Sequence, residues 1–517
     1  MDRPYLIAGI ILVFFLSFFL FQQINLTTAD IGRHIINGKL FLNTNQFDIS
    51  SSALLDTNFF SLIYPDFPFI NHHWGSGILV YLIFILFGFK GLSVVYGGLI
   101  ILATFILFYI WKNKLSVWVS FPVVLFLLPL IAERTEVRPE GLSYFFMALV
   151  IALLHLYTTD RIQKKWLWLI PIVSLIWVNT HIYFIFVPFF VGLFMVQNFI
   201  NKEFQKTKKL AIILITSLTA FLINPYGLTG VLYPFKMFQN YGYLIVENQS
   251  IPFLTNLHIN NPNFLWWKIA TAIFVISSIY VFWKKRKKFP IALFGITTTF
   301  AVLSFLGIRH LAPYGLVLIP NLLCYGQLIY RKPDDERESY IHLVFSVILS
   351  AIILASIFIQ FNSRLPWNSH WGIGLQPGVN ASADFVKTLN LSGPIFSNYD
   401  IGGYLIFHMY PKEKVFVDNR PEAYPVSFFK EVYIPMQESE SVWKKELDRW
   451  NFNMIWFYRN DLTPWAQQFL ISKISDSEWA PIFVDNYTII FLRRNQKNAK
   501  IIKQYELPKD IFMVGQP

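Results

Sequence analysis

The sequence predicts an all-α polytopic membrane domain, with an extracytoplasmic α/β domain at its C-terminal end. Three observations predict it. Of the 517 residues, 55% are hydrophobic and only 14% are charged, a balance that excludes an ordinary soluble enzyme. Apolar stretches long enough to cross a bilayer recur from the N-terminus to about residue 360. Beyond residue 361 the composition turns mixed and polar, and short strands alternate with amphipathic helices. The expected domains are therefore 1–360, carrying external loops 25–91 and 224–264, and 361–517.

The first apolar run, Tyr5 to Phe21, lacks a small-residue cleavage pattern and is expected to be a retained helix, not a removed signal peptide. Further runs lie near 76–87, 92–111, 117–132, 141–157, 166–179, 182–200, 210–223, 265–283, 289–306, 311–329 and 340–360. Between them sit short basic clusters: Lys112/Lys114, Arg161/Lys164/Lys165, Lys202/Lys206/Lys208/Lys209, Lys284 to Lys288, and Arg331/Lys332/Arg337. The net charge of +12 therefore reports topology and excludes a nucleic-acid partner. All the clusters share one side only if a single crossing separates residues 74 and 112. The run 76–87, about 12 residues long, is too short to span. It is bounded by Gly88 and is expected to be an interfacial or re-entrant helix. About eleven spans remain, with a cytoplasmic N-terminus in a plasma (inner) membrane and the C-terminal domain outside. Cys324 stands alone in an apolar run and forms no intrachain disulfide.

That topology gathers the polar sequence on the outer face. Asp30, Arg33 and His34 follow the first span at helical spacing. His72, His73 and Trp74 close the first loop. Glu133, Arg134, Glu136, Arg138 and Glu140 crowd one junction between spans, where charges pair or face a wet cavity. Pro139 suits a first helical turn and sets Arg138 at its mouth. His181 lies in a tight polar turn. Arg309 and His310 sit among apolar residues, and a base placed against the positive-inside bias points to a phosphate or carboxylate partner. Adjacent histidines suit one tetrahedral metal poorly, so no metal site is assigned; a carboxylate-bound Mg²⁺ or Mn²⁺ stays open.

In the C-terminal part, strands are expected at 394–397, 404–407, 414–418, 454–457 and 487–492, with helices over 379–390, 439–451 and 463–474. Gly402-Gly403 is expected at a strand start, and Asp418, Arg420 and Glu422 at a strand end.

An acid soon after the first span, a large first external loop with a short interfacial helix, and a second charged external loop resemble the GT-C superfamily of membrane glycosyltransferases, which use polyprenyl-phosphate-linked sugars. More closely, Asp30-Ile-Gly-Arg-His34, Asn71-His-His-Trp74, Arg138-Pro-Glu140, Asn179-Thr-His181, Asn224-Pro-Tyr-Gly227, Gly402-Gly-Tyr404 and Asp418-Asn-Arg420 resemble a bacterial group of GT-C-like membrane proteins. The resemblance implies sugar transfer from a polyprenyl-phosphate-linked donor to a glycan, lipid or protein acceptor outside the membrane. It implies Asp30 as catalytic base, with a second acid among Glu133, Glu136 and Glu140; Glu136 is the catalytic candidate. Arg138, Arg309 and His310 would hold the donor phosphate. Arg33, His34, His72, His73, Glu140 and His181 complete the expected substrate contacts. The rival classes are a transporter or flippase for lipid-linked glycans and a non-catalytic envelope scaffold. A transporter calls for broken helices and polar groups at mid-membrane, whereas here the polar groups crowd one face.

Overall fold

The computed structural model describes residues 3–47, 49–111, 115, 117–238, 240–330, 336–364 and 370–512. Lys112, Lys114, Arg331 and Lys332 lie outside the described residues. The chain divides into two compact units. One comprises Met1–Gln23, Ser93–Lys236 and Ile245–Ile373; the other comprises Ile24–Leu92, Met237–Leu244 and Gly374–Pro517. We call them the helical unit and the mixed unit.

The helical unit is built from α1 (Arg3–Leu20), the latter part of a long helix whose start lies in the mixed unit, α4 (Val117–Ile131), α5 (Glu140–Thr158), α6 (Leu169–Val178), α7 (Phe186–Ile200), α8 (Phe204–Phe221), α9 (Pro262–Lys285), α10 (Ile291–Leu306), α11 (Leu311–Ile329) and α12 (Glu336–Gln360). Helix α11 is the hub. Nearly every side chain from Leu311 to Leu323 is buried, because it packs against α4, α9 and α10 at once. Peripheral helices turn apolar side chains outward, with Ile276 68% and Ile359 79% exposed. Contiguous exposed apolar surface of this kind belongs in lipid, and the chain is a polytopic membrane protein. Six helical stretches are long and apolar enough to cross a bilayer: Trp74–Trp111, Glu140–Thr158, Ile182–Ile200, Pro262–Lys288, Ile308–Ile329 and Tyr340–Gln360. Gly9–Leu20, Val119–Ile131 and Ile291–Leu306 are shorter apolar helices.

The mixed unit opens with α2 (Ile31–Leu42) and the start of α3 (Trp74–Trp111). Gly88, at φ 61 and ψ −162, breaks α3 at the expected end of the short apolar run. The unit continues with α13 (Ala381–Thr388), α14 (Gly402–Met409), α15 (Glu440–Trp450) and α16 (Pro464–Ser475). Its sheet contains β1 (Ile395–Phe396), β2 (Met454–Tyr458), β3 (Trp479–Val484) and β4 (Thr488–Arg493), in the order β1-β2-β4-β3. Strands β1 and β2 are parallel, whereas β4 runs antiparallel to β2 and β3. An aromatic core including Phe396, Phe416, Phe428, Trp443, Phe457 and Phe469 fills the space beside the sheet.

Two expectations need correction, and one strand lies outside those expected. Residues 404–407 are helical, so Gly402-Gly403 opens α14 and not a strand. The segment 414–418 forms only an isolated bridge, Val415 with Ser61. Strand β3 is not among the expected strands; its Pro481 is tolerated because β3 is an edge strand, with an irregularity between Pro481 and Phe483. The unit also extends beyond residues 361–517. Leu62 N donates to Val415 O at 2.8 Å and Asn58 Nδ2 to Ala423 O at 2.8 Å, so the first loop folds with the C-terminal sequence.

Helix α14 packs on α2 through glycines. A Cβ on Gly32 would stand 2.7 Å from Gly403 O and 3.0 Å from Phe407 Cβ. Gly32→Ala is therefore expected to lower stability by about 1–3 kcal/mol through overpacking. A thermal melt unchanged from wild type would contradict this close approach.

Candidate active site

In the mixed unit, the end of the first loop segment turns into α2 at Asp30, which precedes its first residue, Ile31. Asp30 Oδ1 accepts a hydrogen bond from Asn419 Nδ2, and Asn419 Oδ1 accepts from Arg33 Nε at 3.4 Å. The acid and the base three residues on are thus joined through one amide. Asn419 is held by its neighbours on either side. Asp418 and Arg420 form a buried pair, Arg420 Nη2 to Asp418 Oδ2 at 2.6 Å and Nε to Oδ1 at 2.8 Å. Arg420 also donates to Asn58 Oδ1 at 2.6 Å and lies over the Phe69 ring at 4.7 Å. Gly402 is needed here, since a Cβ would run into Asp418.

Arg33 is buried, and burial together with Arg420 pulls its pKa down, against Asp30, Asp418 and Glu422. Burial pushes the Glu422 carboxyl up. His34 and His73 meet edge to face at 5.6 Å, and the His72 and His73 rings lie 3.8 Å apart. Asp30, Arg33, His34, His72 and His73 therefore share one region of the mixed unit.

In the helical unit a second polar cluster forms at the start of α5. Glu140 is the first residue of that helix, where the exposed N–H groups favour a carboxylate. Arg309 Nη2 lies 3.4 Å from Glu140 Oε1, and Arg134 Nη2 lies 3.7 Å from the same oxygen. Glu247, from a turn at Val246–Asn248, meets three guanidiniums: Arg134 at 2.8 Å, Arg138 at 3.1 Å and Arg309 at 3.6 Å. Burial would raise the Glu247 pKa, but Arg134, Arg138 and Arg309 outweigh it and hold the carboxyl down at about 2. Asn248 Oδ1 accepts from Arg309 Nη1 at 2.9 Å.

His181 Nδ1 accepts from Ser143 Oγ at 2.7 Å, and Ser143 Oγ itself accepts from Trp177 Nε1 at 2.8 Å. Tyr183 N also points at His181 Nδ1, at 3.4 Å. Burial pushes His181 down to about 4 against the pull of Glu140, so the ring is neutral at pH 7 with its proton on Nε2. His310 Nδ1 pairs with Tyr183 Oη at 2.9 Å.

The three acids of the second loop differ in setting. Glu133 accepts from Asn261 Nδ2 at 2.7 Å and Asn263 Nδ2 at 2.5 Å, tying the loop to the start of α9. Glu140 is buried among arginines. Glu136 is 52% exposed, with Arg134 3.9 Å away. Arg138, Glu140, Arg309 and, beside them, His181 and His310 are thus brought into one cluster. Sequence reasoning missed Glu247, Asn248, Tyr183 and Asn419 as partners. Only Asn419 carried a signal, its place between Asp418 and Arg420. No group of three or more His, Cys, Asp or Glu side chains suited to a metal ion gathers among the described residues, and Glu140 and Glu247 already face guanidiniums.

No family model matches the chain, and no curated protein matches it. Solved structures do. The archaeal oligosaccharyltransferase AglB from Archaeoglobus fulgidus, in complex with an inhibitory peptide and a dolichol-phosphate, is similar with TM-score 0.56 and 12% identity, over 98% of this chain and 75% of that one. ArnT from Cupriavidus metallidurans, bound to undecaprenyl phosphate, is similar with TM-score 0.52 and 12% identity, over 96% of this chain and 99% of that one. Both are GT-C superfamily proteins. The chain has a GT-C fold. The apo oligosaccharyltransferase of A. fulgidus gives TM-score 0.58 at 12% identity, over 88% of this chain and 70% of that one. At such identities the likeness establishes the GT-C fold alone.

Proposed function

We propose that the chain is a membrane glycosyltransferase that moves a sugar from a polyprenyl-phosphate-linked donor to an extracytoplasmic glycan, lipid or protein acceptor. The observation that carries this reading is the buried arginine cluster on a GT-C fold. Arg134, Arg138 and Arg309 face Glu140 and Glu247, so three positive charges oppose two negative ones. Such a surplus suits a phosphate. The fold likeness to proteins solved with dolichol-phosphate and undecaprenyl phosphate agrees with it.

In this reading Asp30 takes the proton from the acceptor hydroxyl as the bond to the sugar forms. Asn419 and Arg33 orient the carboxylate. Arg138, Arg309 and His310 hold the donor phosphate and stabilise the charge it gains when the glycosidic bond breaks. Glu136 is the second acid. His34, His72 and His73 shape the surroundings of Asp30 in the mixed unit, and Glu140 and His181 shape those of the arginines in the helical unit. The test is transfer of label from a polyprenyl-phosphate-linked radioactive sugar by the purified protein. Absence of transfer across donors and membrane extracts would overturn the reading.

The proposed topology has eleven spans, a cytoplasmic N-terminus and residues 361–517 outside a plasma (inner) membrane. Its basis is the clustering of Lys and Arg in alternate loops; Lys209 over Trp168 at 4.4 Å and Lys284 over Trp283 at 4.7 Å suit an interfacial position for two of those loops. In a background lacking Cys324, cysteines at Thr207 and Lys285 should resist an impermeant thiol reagent, and cysteines at Thr135 and Ser392 should react. The opposite pattern would invert the assignment.

A further inference from the structure

The arginine cluster holds more hydrogen-bonding capacity than its ion pairs use. Arg309 Nε, Tyr96 Oη and Tyr144 Oη are enclosed with no hydrogen-bond partner among the described residues, and Arg134 Nη2 has only the long ion-pair contact to Glu140 Oε1 at 3.7 Å. Each carries a proton to donate. Tyr144 is 1% exposed and lies in the field of Arg134, Glu140 and Arg309; Tyr96 is 2% exposed and lies in the field of Glu140. Buried donors without acceptors are costly, and such donors beside a cluster of guanidiniums mark a place for an oxygen-rich anion.

Glu247 stands out within this group. It comes from a three-residue turn between spans, whereas Glu140 belongs to a helix. Its two oxygens bridge three guanidiniums, at 2.8, 3.1 and 3.6 Å, as a phosphate would. Its side chain is 26% exposed, against 10% for Glu140, so it sits on the open side of the cluster. A turn can withdraw without disrupting a span.

We propose that Glu247 holds the place of the ligand phosphate in a cradle of Arg134, Arg138 and Arg309, and that Arg134 and Tyr144 become direct phosphate ligands when Glu247 is displaced. This rests on the donor reading above and extends it. Arg134 and Tyr144 join the binding set, and a residue that faces the arginines becomes the competitor of the substrate. Displacement leaves three guanidiniums against Glu140, a better match for a dianionic phosphate monoester, the form in which the lipid phosphate departs. The recognised chemistry is a phosphate, whether on a lipid or free.

The test compares full-length wild type with Glu247→Gln and Tyr144→Phe, using undecaprenyl phosphate and inorganic phosphate as separate probes. Glu247→Gln keeps size and removes the competing charge. It is expected to bind undecaprenyl phosphate about tenfold tighter or more, the scale of one charge-assisted contact. Tyr144→Phe is expected to bind it several-fold more weakly. Glu247→Gln should melt lower than wild type without ligand and gain more on adding the lipid. If Glu247→Gln does not fold, Glu247→Asp, with a shorter reach to the arginines, should show the same tightening in smaller measure. Unchanged or weaker binding by the position-247 variant overturns the proposal. A gain for inorganic phosphate alone overturns the lipid as the source of the phosphate. Sugar transfer by wild type, with affinity unmoved by Glu247→Gln, removes this proposal and leaves the donor reading standing. Absence of both transfer and phosphate binding removes the two together.

Discussion

Asp30→Asn is expected to lower sugar transfer by about 10²–10⁴-fold, the usual cost of losing a general base. The substitution preserves shape and keeps an oxygen that can still accept the hydrogen bond from Asn419 Nδ2. Only the proton-accepting charge is lost, so folding and donor affinity should stay close to wild type. Turnover has to be counted per folded molecule, because Asp30 also stands immediately before α2 and a purely structural role would lower stability instead. If Asp30 only orders the loop through Asn419 and Arg33, Arg33→Gln should reproduce the effect of Asp30→Asn. Equal turnover in Asp30→Asn and wild type would remove the catalytic assignment.

The second large effect concerns stability. Asp418→Ala strips the partner from Arg420, which is 4% exposed and would be left as an uncompensated buried charge. Losing one member of a buried pair typically costs about 3–5 kcal/mol. The ring of Phe69, at 4.7 Å, and Asn58 can offset only part of this. Denaturant unfolding of the purified protein should show the loss. Replacing both partners, as Asp418→Leu with Arg420→Met, should recover much of it, since the desolvated charge is then gone. A single variant as stable as wild type would mean that the pair does not hold Asn419 in place.

These two predictions show which parts of the molecule could be read from the amino-acid order. The apolar runs could, because lipid demands long uninterrupted hydrophobic stretches and each leaves an unmistakable pattern. Short motifs such as Asp30 to His34, Gly402-Gly403 and Asp418 to Arg420 also stood out, but their connection did not. Nothing local says that Asn419 reaches Asp30, or that Gly402 is small because Asp418 lies against it. The segment 404–407 is a short apolar run of the kind that fits strand and helix equally; packing of α14 on α2 decides the matter. Glu247 was invisible for a related reason. It lies in an irregular stretch between Asn224 and Asn263 with no periodicity around it, and its meaning comes wholly from three arginines distant in sequence.

The most direct test of the central claim is to measure turnover and donor affinity side by side for Asp30→Asn and Arg309→Ala, with a polyprenyl-phosphate-linked sugar as donor. Asp30→Asn should lose turnover and keep its affinity. Arg309→Ala should lose affinity by about ten- to a hundredfold, the worth of a charge-assisted phosphate contact of roughly 1.5–3 kcal/mol. Wild-type turnover and affinity in both variants would contradict the account.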